Sequence, residues 1–340
     1  MARITITDVA RRSGMSISTV SQALNGTGRI SKPTKLLVRK AADELGYIPD
    51  SRARSMRSSR SRAVGLLVPD IRNAYFSELV YAVQDQLYRK GYAPLIGVSS
   101  CEESRAEDFY RILLSRHMDG VIVVPDGPTS PMLTTLLASD FPVVFADRPE
   151  TSAPDAPLVD SDPTLGLVGA LNTLVAKGFD RVVFVPGPEE RSATFREREQ
   201  AFLDQAAIHP SLQGRVATDG FGSQDQARTT MLSLVDQGVQ AFIFGYSGDA
   251  IRAIAVGNEI RADHEDICLI SFDDLKLFRL VTPQVSVISQ QVDAMGRLSV
   301  DILLSIIDGG SGSDRSQDGP AIRNLRTRTE TRFIPRGVLA

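Results

Sequence analysis

The sequence predicts an α/β chain in which a small helical head precedes a core of two doubly wound parallel-sheet lobes. Three observations lead there. In the first 62 of the 340 residues, helix-start and helix-stop residues alternate at short spacing. From Ala63 onward, compact apolar runs alternate with longer helical patterns. Charge divides at the same point: residues 1–62 hold 13 Lys and Arg against 4 Asp and Glu, whereas the remainder holds 25 against 37. A basic head on an acidic body is the footprint of a polyanion-binding module, although a solvated basic surface has the same composition. With 42% hydrophobic residues the chain has enough apolar material for more than one domain.

Thr5 and Asp8 fit an [S/T]-x-x-[D/E] helix start, Val9 and Ala10 supply an apolar side, and Gly14 is placed to end the helix in a left-handed turn. Ser16 caps a second helix, and Ser31 with Pro33 opens a third. In that third helix Val38, Ala41, Ala42 and Leu45 repeat at i, i+3, i+4, i+7 before Gly46. Three short helices with a Gly-containing turn after the first are a helix-turn-helix unit, whose second helix enters the DNA major groove.

The second helix carries Val20 and Leu24 on one face and Ser18, Ser21, Gln22 and Asn25 on another. A water-facing stripe is ordinarily filled with Lys and Glu, which favour helix, whereas Ser and Asn do not. Short hydroxyl and amide groups suit phosphates and base edges, and an amide reads adenine through two bonds.

The segment "TITDVARRSGMSISTVSQALNGTGRISKPTKLLVRKAADELGYIPD" resembles the N-terminal module of the lactose-repressor (LacI/GalR) family over about fifty contiguous residues. The resemblance implies DNA contacts from Thr5, Ile17, Ser18, Thr19, Ser21, Gln22, Asn25, Thr34 and Tyr47. Ser18 and Gln22 would read bases, with Thr19 and Ser21 on phosphate. Gln22 stands where the family commonly has Arg, so the operator half-site is expected to deviate from the family's habit.

Residues 50–57, "DSRARSMR", are too short for an isolated helix in water, which needs ~12 to 15 residues. A Ser/Arg-rich flexible linker is one reading. The resemblance implies another: a hinge helix that folds on DNA, with Ala53 and Met56 in the minor groove and Met56 in place of the family's leucine wedge.

In the body, "AVGLLVPD", "APLIGVS", "DGVIVVP" and "PVVFAD" form one strand set, and "RVVFVPG", "QAFIFGY", "DICLISFDD" and "QVSVIS" a second. Both are expected to be parallel with helices on both faces, and ligands in such folds sit at the carboxyl ends of strands. The body also resembles the effector core of the same family, which is periplasmic-binding-protein-like. The expected division is a DNA-binding domain at 1–49, a hinge and linker at 50–62, and an effector-binding and dimerisation core at 63–340. Within the core, lobe 1 would hold about 63–160 and 290–318, and lobe 2 about 161–289 and 319–340. No C-terminal heptad helix is evident, so a homodimer is expected rather than a tetramer.

Carried over residue by residue, the effector cleft comprises Asp70, Phe76, Asp147, Arg148, Arg198, Tyr246 and Asp273. Carboxylates and guanidinium groups bind adjacent hydroxyls in pairs, and an aromatic ring covers an apolar sugar face. Taken singly, Asp70 and Asp147 equally suit strand-end turns, Phe76 a core position and Arg198 an exposed helix charge. In "FIFGYSGDA", Tyr246-Ser247 stands where the family commonly has Asn-Asp; the larger ring reshapes the pocket and argues against a simple monosaccharide.

An enzyme is not expected. G-x-G-x-x-G after a strand, the Walker G-x-x-x-x-G-K-[S/T] and G-x-S-x-G are all missing, and His117, His209 and His264 are scattered. No cofactor or metal is expected, and Cys101 and Cys268 lack metal-ligand spacing. The N-terminus lacks a signal-peptide core and no apolar run approaches the roughly 18 residues of a membrane span. The chain is thus expected to be cytoplasmic, with a double-stranded DNA operator, a sugar or related metabolite and a second copy of itself as partners, and no membrane. A transport-type binding protein shares the body but not the basic head.

Overall fold

A computed structural model describes residues 4–47, 60–188, 193–218, 220–260, 267–282, 284–309 and 325–340. The chain divides into two compact units, Met1–Ser61 and Arg62–Ala340.

The first unit holds α1 (Ile6–Ser13), α2 (Ile17–Asn25) and α3 (Lys32–Leu45). Asp8 accepts from the Thr5 backbone N–H at 3.0 Å, and Gly14 ends α1 at φ 68°, a left-handed position that lets the chain turn at once into α2. Ser16 and Ser31 cap the next two helices, accepting from the backbone N–H groups of Thr19 and Thr34. Val9, Val20, Ala23 and Val38 are fully buried at the centre of a small apolar core.

The second unit contains two six-stranded sheets. The first is ordered β11-β5-β4-β3-β1-β2, from β1 (Ala63–Val68), β2 (Ala93–Val98), β3 (Gly120–Val123), β4 (Val143–Ala146), β5 (Leu158–Asp162) and β11 (Arg326–Glu330). The second is ordered β12-β10-β9-β8-β6-β7, from β6 (Arg181–Val185), β7 (Gln213–Val216), β8 (Ala241–Phe244), β9 (Cys268–Phe272), β10 (Ser286–Ser289) and β12 (Arg332–Ile334). The orders match strand for strand. All pairings are parallel except β10 with β12. Strands β3, β4, β8 and β9 are buried along their whole length, because helices cover both faces.

The helices of this unit are α4 (Ala74–Arg89), α5 (Glu103–Ser115), α6 (Pro131–Ala138), α7 (Thr164–Ala176), α8 (Ala193–Ala206), α9 (Gln224–Asp236), α10 (Ser247–Ile260) and α11 (Val292–Gly309). The chain passes between the sheets three times: after β5, after β10, and between β11 and β12 at Thr331. The last crossing corrects the sequence reading, which gave about 319–340 wholly to the second lobe. Arg326–Glu330 ladders in parallel with Leu158–Asp162, so β11 stays in the first sheet, and β5 runs on to Asp162. Ion pairs from Arg326 and Arg328 to Asp160 hold that polar edge in place.

Candidate DNA-binding face and effector cleft

On α2, Ile17, Ser18, Gln22 and Asn25 face solvent, with Thr19 and Ser21 half-buried. The Thr19 hydroxyl lies 2.8 Å from Ser16 Oγ, and Asn25 Nδ2 donates to Ser21 Oγ at 3.4 Å. Gln22 folds toward the turn after α2: a Cβ at residue 28 would lie 2.7 Å from its Oε1, so Gly28 makes room for the amide. Thr5 and Thr34 stand at the starts of α1 and α3 with their hydroxyls on Asp8 and Ser31, at 2.7 and 2.8 Å. Helix starts of this kind offer backbone N–H groups to phosphate. Tyr47 packs on the head core. Ala53 and Met56 lie outside the described residues.

In the second unit, Asp147 directly follows β4 and Asp273 directly follows β9. Both are buried and both adopt left-handed backbone, at φ 70° and 71°. Asp147 Oδ1 accepts from Tyr75 Oη at 2.6 Å and Oδ2 from Arg148 Nε at 3.1 Å. Asp273 Oδ1 accepts from Gln290 Nε2 at 2.6 Å and Oδ2 from Ser247 Oγ at 3.1 Å. Burial pushes the Asp273 carboxyl above its ordinary range; Arg198 is the chief opposing influence, followed by the Gln290 bond, while the Asp147 charge adds to the rise. Burial, then the charges of Asp147 and Asp273, hold the Tyr75 phenol far above its usual value, so it stays a proton donor.

Arg198, on α8, is 4% exposed. Its Nη1 donates to the Gly245 carbonyl at 2.6 Å, and its guanidinium carbon lies 4.5 Å from the Phe272 ring centroid. Its Nε is buried with no hydrogen-bond partner. Tyr246 is half-buried, meets Phe195 edge-on at 6.0 Å, and occupies space that a Cβ at Gly248 would claim, 2.3 Å from its ring. The two lobes also touch directly where Thr194 Oγ1 donates to the Asp147 carbonyl at 3.3 Å.

Asp147, Arg148, Arg198, Tyr246 and Asp273 therefore gather from both lobes. Asp70 and Phe76 lie at the margin of that group, the charge of Asp70 acting on Tyr246 and the Phe76 ring lying under Arg148. The Asp70 carboxylate is gripped by the backbone and guanidinium of Arg72, and Phe76 is 6% exposed, edge-on to Tyr75 in the first lobe's core with Arg148 5.6 Å from its ring.

A family model described as bacterial regulatory proteins, lacI family, matches residues 5–50, and a periplasmic binding protein-like domain matches residues 171–337. The ribose operon repressor of Bacillus subtilis is 30% identical over 89% of this chain and 91% of its own length. The chain belongs to the lacI family of bacterial regulatory proteins. The PurR repressor of Vibrio vulnificus is 29% identical over 89% of this chain and 92% of its own. The operator-bound lac repressor dimer with the anti-inducer ONPF superimposes with a TM-score of 0.77 over 99% of both chains at 19% identity, which establishes the shared fold.

As a lacI-family member the chain is a DNA-binding transcriptional regulator and not an enzyme. Among the described residues no helix is long and apolar enough to cross a membrane. Sequence reasoning missed three residues that bond to this group: Tyr75 to Asp147, Gln290 to Asp273, and Thr194 to the Asp147 carbonyl. Tyr75 is flanked by Ala74 and Phe76 at a helix start, and Gln290 lies between Ser289 and Gln291 just after a strand, so neither stands out in the sequence. Thr194 gives no signal either, because its partner is a backbone carbonyl 47 residues away.

Proposed function

We propose that this chain is a repressor that binds a palindromic operator as a homodimer in the cytoplasm, under control of a small polar ligand, a sugar or related metabolite, held between the two lobes. One observation carries the ligand reading: a buried guanidinium, Arg198, has an Nε without an acceptor, and its charge acts on the buried carboxylate of Asp273. Buried charges are stable when paired or hydrogen-bonded, so an oxygen-bearing ligand completes this site. Tyr246 and Phe195 add an aromatic corner, which favours a ring-bearing metabolite over a small acyclic one. The polar stripe of α2 supports the operator reading, with Ser18 and Gln22 on bases, Thr19 and Ser21 on phosphate, and Ala53 and Met56 in the hinge.

Ligand that binds one lobe closure better than another shifts the population of closures, and only that difference in affinity reaches the heads. Relatives named for ribose and sucrose operons support a sugar. A thermal-shift screen of sugars and nucleosides finds the ligand, since binding to the native state raises apparent stability. Titration of operator DNA with and without the hit then tests control. A ligand that raises stability yet leaves operator affinity unchanged overturns the allosteric reading.

A further inference from the structure

Glu197 neighbours Arg198 on α8 but turns away from the carboxylates, toward the edge strand of the other lobe. Its Oε1 lies 2.8 Å from Arg328 Nη1 and its Oε2 3.2 Å from Arg326 Nη2. Both arginines stand on β11 and are themselves anchored in the first lobe. Arg326 Nε donates to Asp160 Oδ2 at 3.0 Å, Arg328 Nε lies 3.2 Å from Asp160 Oδ1, and Arg328 Nη2 donates to the Ser161 carbonyl.

From Ser161 the connection continues into the cleft. Ser161 Oγ donates to Gln290 Oε1 at 2.6 Å, and the same Gln290 amide donates to Asp273. The Gln290 carbonyl accepts from Thr329 Oγ1 at 2.9 Å. Ser161, Gln290 and Thr329 belong to the three segments where the chain passes between the sheets. A continuous path of polar contacts thus runs from Glu197 through Arg328, Ser161 and Gln290 to Asp273, and α8 closes the circuit at Arg198.

We propose that Glu197 is a positioning residue: it clamps α8 of the second lobe to β11 of the first and so fixes Arg198 relative to Asp273. The ligand consequence rests on the effector-cleft reading; the clamp itself does not. A movement of α8 that withdraws Arg198 from the cleft breaks the Glu197 contacts to both arginines, leaving them held only by Asp160, Asp162 and Ser161. Side-chain exposures of 37% for Glu197, 25% for Arg328 and 47% for Arg326 make this a half-exposed network, open to screening by salt.

Hydrogen–deuterium exchange of the full chain, without ligand, tests the clamp. Glu197→Gln should accelerate exchange about two- to fivefold in Ala193–Ala206 and also in Arg326–Glu330, which lie in different lobes. Glu197→Asp should restore part of the protection, and 1 M NaCl should reproduce the loss in the wild-type chain. Asp204→Ala, which removes the Gln200 contact on the same helix, should leave β11 unchanged. The proposal is overturned if Glu197→Gln leaves β11 exchange at the wild-type rate, or if Asp204→Ala loosens β11 equally. Because no ligand enters the measurement, failure of the effector reading leaves this result standing.

Discussion

Asp147 and Asp273 occupy the same position in two sheets of identical strand order, each one residue beyond its strand and each in left-handed backbone at φ 70° and 71°. A non-glycine residue there costs free energy, which Asp and Asn tolerate best because their short side chains bond locally. Substitution should expose that cost. Asp147→Asn should fold with nearly wild-type stability, whereas Asp147→Val should lose about 1–3 kcal/mol more in urea denaturation. Equal losses in the two variants would show that the carboxylate, not the backbone, governs this position.

The paired carboxylates also separate binding from folding. Asp273→Ala should abolish the response to whichever ligand the screen yields, at a cost of roughly 1.5–3 kcal/mol in ligand affinity, and leave operator affinity intact. Calorimetric titration of both proteins, beside operator binding, checks it. Equal ligand affinity removes Asp273 from the site.

Asp249, in the first turn of α10, is 3% exposed, and burial raises its carboxyl to about 6 against the opposing pull of Arg252 at 2.8 Å. A folded value raised above the unfolded one stabilises the chain at low pH, and that contribution is lost as pH rises from about 4 through 6. The stability difference between wild type and Asp249→Asn should therefore shift against the wild type across that window, by at most ~3 kcal/mol. Denaturation curves at pH 4, 5, 6 and 7 measure it; a constant difference refutes the raised value.

Gln22 should supply specificity more than affinity. Gln22→Ala should relax preference at one base pair by about 1–3 kcal/mol with non-specific binding unchanged, and wild-type affinity should fall with salt at a log–log slope near −0.9 per neutralised phosphate. Fluorescence anisotropy on operator variants distinguishes this from a backbone contact, for which every sequence would weaken alike.

Eight strands were legible as apolar runs: most are buried on both faces and so must be apolar, while β2 is a partly exposed edge strand that happens to be apolar as well. The unread ones were β5, β7, β11 and β12. "LVDSD" and "RTRTE" carry charged residues that answer each other across the ladder, Asp160 to Arg326 and Arg328, so neither reads as a strand alone. "QGRV" is a half-buried edge. Asp147, Asp273 and Arg198 were reached through the family resemblance, since taken singly a carboxylate after an apolar strand equally suits a turn and an arginine on a helix equally suits solvent. Tyr75 and Gln290 were not, since an aromatic beside Phe76 and an amide in "SQQVD" look like ordinary core and turn residues.

The interleaved order of the strands constrains how the molecule is made. The first lobe takes α11 and β11 from the end of the chain, so a ribosome that has delivered residues 63–162 has released a sheet still missing an edge strand and the helix that packs on α4. That fragment must wait while the entire second lobe emerges, at about 5–20 residues per second, with apolar surface open to water. The second lobe in turn receives β12 directly after β11. Both lobes therefore become complete within a few residues of each other, and a stop before Arg326 truncates two structures at once.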